Sequence, residues 1–99
     1  MDDADLCISV ITEIELFSKP ELSPDEEENL RAFLSDRISI IDLTYDIKKE
    51  TIALRRTARR KLPDCIVAAT AIIMNATLLT ADAKLLNLER QGFNVRSIV

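Results

Sequence analysis

Histidine and tryptophan are absent from this chain, glycine occurs once, and aromatic residues make up only 4% of it. Each scarcity removes a class of chemistry. Without histidine there is no imidazole general base, no Ser-His or Cys-His nucleophile pair and no imidazole ligand of the kind used by catalytic zinc sites. Catalysis in such a chain falls to carboxylates and a hard metal. The lone glycine, Gly92, provides no Gly-rich loop to wrap a phosphate, which weighs against a phosphate-binding regulatory domain of the same α/β class. Cys7 and Cys65 are far apart and form no C-x-x-C, so they read as small buried apolar side chains in a reducing compartment. Long apolar runs are also missing. The longest, Cys65 to Met74 with Thr70 inside it, is too short to span a bilayer, and no basic segment leading into an apolar run opens the chain. A cytoplasmic protein without a membrane segment is expected.

What is present describes a packed domain. Of 99 residues, 47% are hydrophobic and only three are proline, which fits one globular, helix-containing domain over residues 1–99 rather than a linker or a disordered tail. Charge is divided unevenly. Residues 1–50 hold 5 Lys/Arg against 14 Asp/Glu, and residues 51–99 hold 8 against 3, so the second half can host a polyanion despite the overall acidity.

Leu6 to Ile11 is a short, β-branched apolar run that suits a strand buried on both faces of a parallel sheet. Thr12-Glu13-Ile14-Glu15 then matches a capping box, opening a helix that runs through Phe17. Ser23-Pro24-Asp25-Glu26 supplies an N-cap, a proline in the first turn and acids that favour the helix dipole, with Leu30, Phe33 and Leu34 as the apolar stripe. Ile38 to Leu43 reads as a second strand. Thr44 caps a third helix, whose inner face takes Ile47, Thr51, Leu54 and Ala58 and whose outer face takes Lys48, Lys49, Arg55, Arg56 and Arg59. Leu62-Pro63-Asp64 starts a fourth helix, apolar nearly all round, with Asn75 just past its end. Thr77 to Thr80 reads as a third strand, Asp82 to Leu88 as a short helix stopped by Gly92, and Phe93 to Val99 as an edge strand. Such alternation predicts a three-layer α/β/α sandwich with a mainly parallel sheet.

In an open parallel sheet, ligands bind beyond the carboxyl ends of the strands. Three acids fall at such places: Glu15 after the first strand, Asp64 at the start of the apolar helix, and Asp82 after the third strand. An oxygen-only cluster of this kind suits Mg²⁺ or Mn²⁺. Each acid also has a local role open to it: Glu15 closes the capping box with Thr12, Asp64 complements a helix dipole, and Asp82 caps a short helix.

The wording around these acids resembles the PIN-domain family, and within it the VapC-type toxins. Ser9-Val10-Ile11-Thr12-Glu13-Ile14-Glu15-Leu16 is similar to the family's S-x-x-T-x-x-E-L segment. Leu62-Pro63-Asp64-Cys65-Ile66-Val67-Ala68-Ala69-Thr70-Ala71 is close to its L-P-D-x-x-I-A-A-T-A helix start. Leu78-Leu79-Thr80-Ala81-Asp82 resembles its L-L-T-x-D block. The resemblance runs from about Leu6 to the C-terminus and implies a PIN-like fold and a metal-dependent endoribonuclease, with Glu15, Asp64 and Asp82 as ligands of Mg²⁺ or Mn²⁺. It further implies Thr12 and Thr80 as supporting hydroxyls and an RNA substrate tracked by Arg55, Arg56, Arg59, Arg60 and Lys61. That basic run is otherwise the solvated face of a helix. An antitoxin partner and a homo-oligomer are also implied.

One departure shapes the expectation. Family members begin with a strand that lies in the middle of the sheet and ends in the Asp that is their first ligand, and nothing here corresponds to it. Asp2, Asp3 and Asp5 sit at the other end of the Leu6 to Ile11 run, about 20 Å from Glu15. The domain is thus expected to be incomplete at its N-terminus, with its first central strand missing and its activity impaired. The alternative is a catalytically inactive PIN remnant that serves as a protein-interaction module.

Overall fold

The structure, a computed structural model, describes residues 6–57, 60–80 and 95–97. Local sequence rules account for most of its elements. The chain forms β1 (Leu6–Ser9), α1 (Val10–Phe17), α2 (Pro24–Arg37), β2 (Ser39–Ile41), α3 (Tyr45–Thr57), α4 (Leu62–Met74), β3 (Thr77–Thr80) and β4 (Val95–Ser97). Helix α2 begins as its sequence dictates: Glu26 N–H donates to Ser23 Oγ at 3.1 Å and Ser23 N–H to the Glu26 carboxylate at 3.2 Å, a complete capping box. Thr44 caps α3 by accepting from Ile47 N–H at 3.3 Å. Helix α4 ends where Asn75 takes a left-handed backbone (φ 47°, ψ 47°) and gives its N–H to the Ile72 carbonyl.

Four strands form one sheet in the order β2-β1-β3-β4, parallel at every pairing. β1 pairs with β2 through Cys7↔Ser39, Ile8↔Ile40 and Ser9↔Ile41, and directly with β3 through Leu6↔Thr77 and Cys7↔Leu78. Alternation along the strands then sorts side chains between two cores. Cys7 and Leu78 point to the face covered by Val67, Ala68 and Ala71 of α4, with Leu54 of α3 alongside. Ile8 and Leu79 point to the other face, where Leu16 of α1, Leu34 of α2 and Ile38 close over them. This is the expected three-layer sandwich. The small residues Ala68, Ala69 and Ala71, all buried, let α4 lie close against the sheet, where dense packing is worth most.

Several boundaries differ from those the sequence suggests. β1 stops at Ser9 rather than Ile11, because Ser9 itself is the N-cap: Ile11 N–H donates to Ser9 Oγ at 3.1 Å, and Val10 and Ile11 enter the helix. Thr12 is therefore inside α1 and not its cap. β2 is only three residues long, since Ile38 turns into the core and Asp42 to Thr44 form the approach to α3. Phe33, expected on the inner stripe of α2, is 49% exposed; Leu30 and Leu34, four residues apart, already fill the inward line. The helix expected from Asp82 to Leu88 and its stop at Gly92 lie outside the described residues, whereas β4 falls within the expected Phe93 to Val99 and occupies a sheet edge.

Candidate functional site

The topology gathers the start of α1 and the first turn of α4 at the carboxyl edge of the sheet. α1 follows β1 without a break, so it leaves from that edge. Only Asn75 and Ala76 separate α4 from β3, so α4 ends at the amino edge and starts toward the carboxyl edge. Its 13 residues make it about 20 Å long, against about 13 Å for the four-residue β3. α4 thus outruns the sheet. α1 and α4 lie on opposite faces and nevertheless touch, as helices meeting past that edge must.

Glu15 sits on α1 and is exposed. Because Ser9 is the cap, Glu15 lies two turns into the helix, and the capping-box role open to it in the sequence does not apply. Thr12, one turn before it, faces inward with Leu16 and is only 2% exposed. Its Oγ1 has no hydrogen-bond partner among the described residues. The other buried threonines are satisfied, Thr51 Oγ1 donating to the Ile47 carbonyl at 2.7 Å and Thr70 Oγ1 to that of Ile66 at 2.6 Å. Burying a hydroxyl without a partner is costly, so Thr12 is the position in α1 where a ligand would repair a deficit.

Asp64 is the third residue of α4, half-buried, in a first turn whose N-cap residue Lys61 makes no side-chain cap. An acid there lowers the energy of the exposed N–H groups. The loop leading to it is held at one carbonyl: Arg60 O accepts from the Arg55 guanidinium and from Cys65 Sγ, the latter at 3.9 Å. Burial pushes the Cys65 thiol up, Arg55 and Arg60 pull it back down, and Asp64 pushes it up again. Both guanidiniums and the Asp64 carboxylate therefore lie within electrostatic reach of the same sulfur. Arg55, expected among the RNA-tracking cations, also has a structural role as the tie between the end of α3 and the approach to Asp64.

Asp82 and Arg59 lie outside the described residues, and of Thr80 only the backbone, at the last position of β3, is described. Among the described residues no three Asp, Glu or Cys side chains converge as a metal cluster. The residues in hand nevertheless suit a hard divalent cation. They are oxygen donors only, Glu15 and Asp64 belong to helices that touch, and the buried Thr12 hydroxyl lies one turn from Glu15. Of the remaining cations, Arg56 and Lys61 are exposed and Arg60 half-buried. No helix among the described residues is long and apolar enough to cross a membrane.

A feature that sequence reasoning missed is a groove lined by Glu13 and Phe17 of α1, Arg31, Leu34 and Ser35 of α2, and Ile40 of β2. Arg31 lies over the Phe17 ring at 4.3 Å and pairs with Glu27 at 3.2 Å. The signal was the half-apolar edge strand, which carries Ile40 outward.

No curated protein matches the chain. Among solved structures it is similar to a chain of a toxin-antitoxin complex from Klebsiella pneumoniae, with 35% identity and a TM-score of 0.65 over 79% of this chain and 63% of that one. It is also similar to a chain of VapBC2 from Rickettsia felis, crystallised bound to a DNA fragment from the promoter, with 27% identity and a TM-score of 0.64 over 92% of this chain and 73% of that one. The chain thus spans just under two thirds of the length of the Klebsiella chain. Residues 1–91 match the PIN domain. That match takes in β1, β2 and β3 with all four helices between them, and it establishes that this chain belongs to the PIN-domain family.

Proposed function

We propose that residues 1–99 form a single PIN-like domain of a VapC-like toxin, acting in the cytoplasm as an endoribonuclease dependent on Mg²⁺ or Mn²⁺. The observation that carries this reading is the contact of α1 with α4, with Glu15 on one helix and Asp64 in the first turn of the other. β3 is parallel to β1, and Asp82 follows it by two residues in the sequence. Glu15, Asp64 and Asp82 would hold the ion, and Thr12 and Thr80 would support it with hydroxyls. When bound, such an ion supplies a nucleophilic water at neutral pH and offsets charge on the phosphate.

The chain's own residues do the rest. Arg56, Arg59, Arg60 and Lys61 bind backbone phosphates, a contribution that weakens steeply with salt. Arg55 holds the Arg60 carbonyl and so fixes the path of the chain into the first turn of α4. No protein nucleophile is required, in keeping with a chain that lacks histidine and buries both cysteines. Likeness to chains of toxin-antitoxin complexes supports an antitoxin partner. Self-association is supported by Ile72, Ile73 and Met74, which are exposed at the end of α4, and by the open edges of β2 and β4 among the described strands.

Incubating the chain with a broad RNA transcript pool tests the reading. Cleavage should require Mg²⁺ or Mn²⁺, stop with EDTA, and be lost in Glu15→Gln, Asp64→Asn and Asp82→Asn. Cleavage that persists in folded Asp64→Asn would show that this acid serves only the dipole of α4. If folded, metal-loaded protein cuts no RNA, the interaction-module reading replaces this one.

A further inference from the structure

The exposed face of α3 carries a pattern that the metal site does not use. Ile47, Thr51 and Leu54 face inward. Helical geometry puts Tyr45, Lys49, Ile52 and Arg56 in one line on the opposite side, and all four are exposed. Lys48 and Arg55 flank that line on one side, Asp46 and Glu50 on the other. The acids of this helix are thus kept off the cationic flank. Tyr45, the only tyrosine of the chain, is 67% exposed. The Nζ atoms of Lys48 and Lys49 lie 5.2 and 5.5 Å from its ring centroid.

A surface that offers an exposed ring in cation–π contact with two ammonium groups suits a ligand with flat apolar faces strung on a polyanion, whose phosphates draw those groups away as a base takes their place. Single-stranded nucleic acid has that chemistry: bases stack on aromatic rings whatever their identity, and phosphates take the cations. The line also has a direction. From Tyr45 it passes Lys49, Ile52 and Arg56, then the chain continues through Arg60 and Lys61 to Asp64, with α3 alone covering about 20 Å.

We propose that the outward line of α3 is a track for single-stranded RNA, with the Tyr45 ring as the platform for one unpaired base and Lys48 and Lys49 on its neighbouring phosphates. This deepens the nuclease reading and rests on it for its consequence in catalysis. Tyr45 is a positioning residue outside the proposed ligand set, so it binds the substrate in ground state and transition state alike. Its loss raises KM and leaves kcat unchanged.

The test measures binding without cleavage, using the full chain, EDTA and a fluorescently labelled, unstructured RNA oligonucleotide followed by anisotropy. Tyr45→Ala should weaken binding by about tenfold or more, with Tyr45→Phe staying within about twofold of wild type, because the ring and not the hydroxyl does the stacking. Replacing Lys48 and Lys49 with alanine should reduce the slope of log affinity against log salt by about 1.4, or about 0.7 for each phosphate contact. An abasic oligonucleotide of equal length should bind wild type and Tyr45→Ala equally. Since the chain has no tryptophan and one tyrosine, its ultraviolet emission comes from Tyr45 and should be quenched by the base-bearing oligonucleotide only. Equal affinity of Tyr45→Ala and wild type overturns the proposal, as does an equal loss in Tyr45→Phe or on the abasic strand. Tight binding that ignores Tyr45 removes the platform and leaves the nuclease reading standing. Failure of every form of the protein to bind RNA removes both.

Discussion

Replacing Thr12 with valine exchanges a hydroxyl for a methyl group of nearly the same size at a position only 2% exposed. In most buried sites such a change costs stability, because a hydrogen bond is lost. Here Thr12 Oγ1 has no partner among the described residues, so the threonine carries the penalty of an unsatisfied buried group, about 1–3 kcal/mol. Taking the lower end of that range, to allow for imperfect packing of the new methyl, Thr12→Val should stabilise the fold by about 1 kcal/mol. For a domain of this size that corresponds to a rise in Tm of about 4–8 °C. Thermal unfolding followed by circular dichroism, with EDTA present, reads the effect directly. The same variant should gain less stability than wild type from Mn²⁺, since the hydroxyl near Glu15 is gone. A Tm lowered by several degrees in EDTA would refute the reasoning, because it would mean that the hydroxyl is bonded in the folded protein.

Two further outcomes follow from the same structure. Ser9→Ala removes the acceptor of Ile11 N–H and should cost about 1 kcal/mol in urea denaturation, and an unchanged midpoint would contradict the cap. Burial pushes the Cys7 thiol above its ordinary range, so the folded state holds that proton to higher pH than the unfolded state does. Stability from this group is complete below the ordinary thiol range and is lost as pH rises through the raised value. The fall in Tm on the alkaline side should therefore be shallower in Cys7→Ala, and an unchanged slope would contradict it.

The parts of this fold that were legible in the sequence are those set by short-range chemistry. Ser23 with Glu26, Thr44, Asn75 and the apolar run of α4 each carry their instruction within a few residues, and β3 keeps the bounds that its residues suggest. Where the reading slipped, tertiary context competed with local preference. Val10 and Ile11 are β-branched and extend the strand on propensity alone, yet Ser9 caps a helix there and Thr12 and Leu16 are buried beneath it. Phe33 and Leu34 are equally apolar, and only the direction of α2 over the sheet decides that Leu34 is inside.

The candidate acids stand out in the sequence by type and by the words around them, but their setting does not. Glu15 lies in the second turn of its helix rather than in the first, and Thr12, one turn before it, is a buried orphan rather than a cap. The grip of Arg55 on the Arg60 carbonyl depends on how the loop folds back, which residue spacing does not encode. Tyr45 stands ten residues before Arg55, where the basic run up to Lys61 begins. Only the helical projection of α3 brings Tyr45, Lys48 and Lys49 together.

In the proposed site, Glu15, Asp64 and Asp82 share one hard divalent ion. Titrating Mn²⁺ into the intact chain, with free Mn²⁺ followed by electron paramagnetic resonance, counts bound ions without relying on activity. One bound Mn²⁺ per chain is expected, with binding lost in folded Asp64→Asn and in folded Asp82→Asn. Wild-type affinity retained in both variants would contradict it.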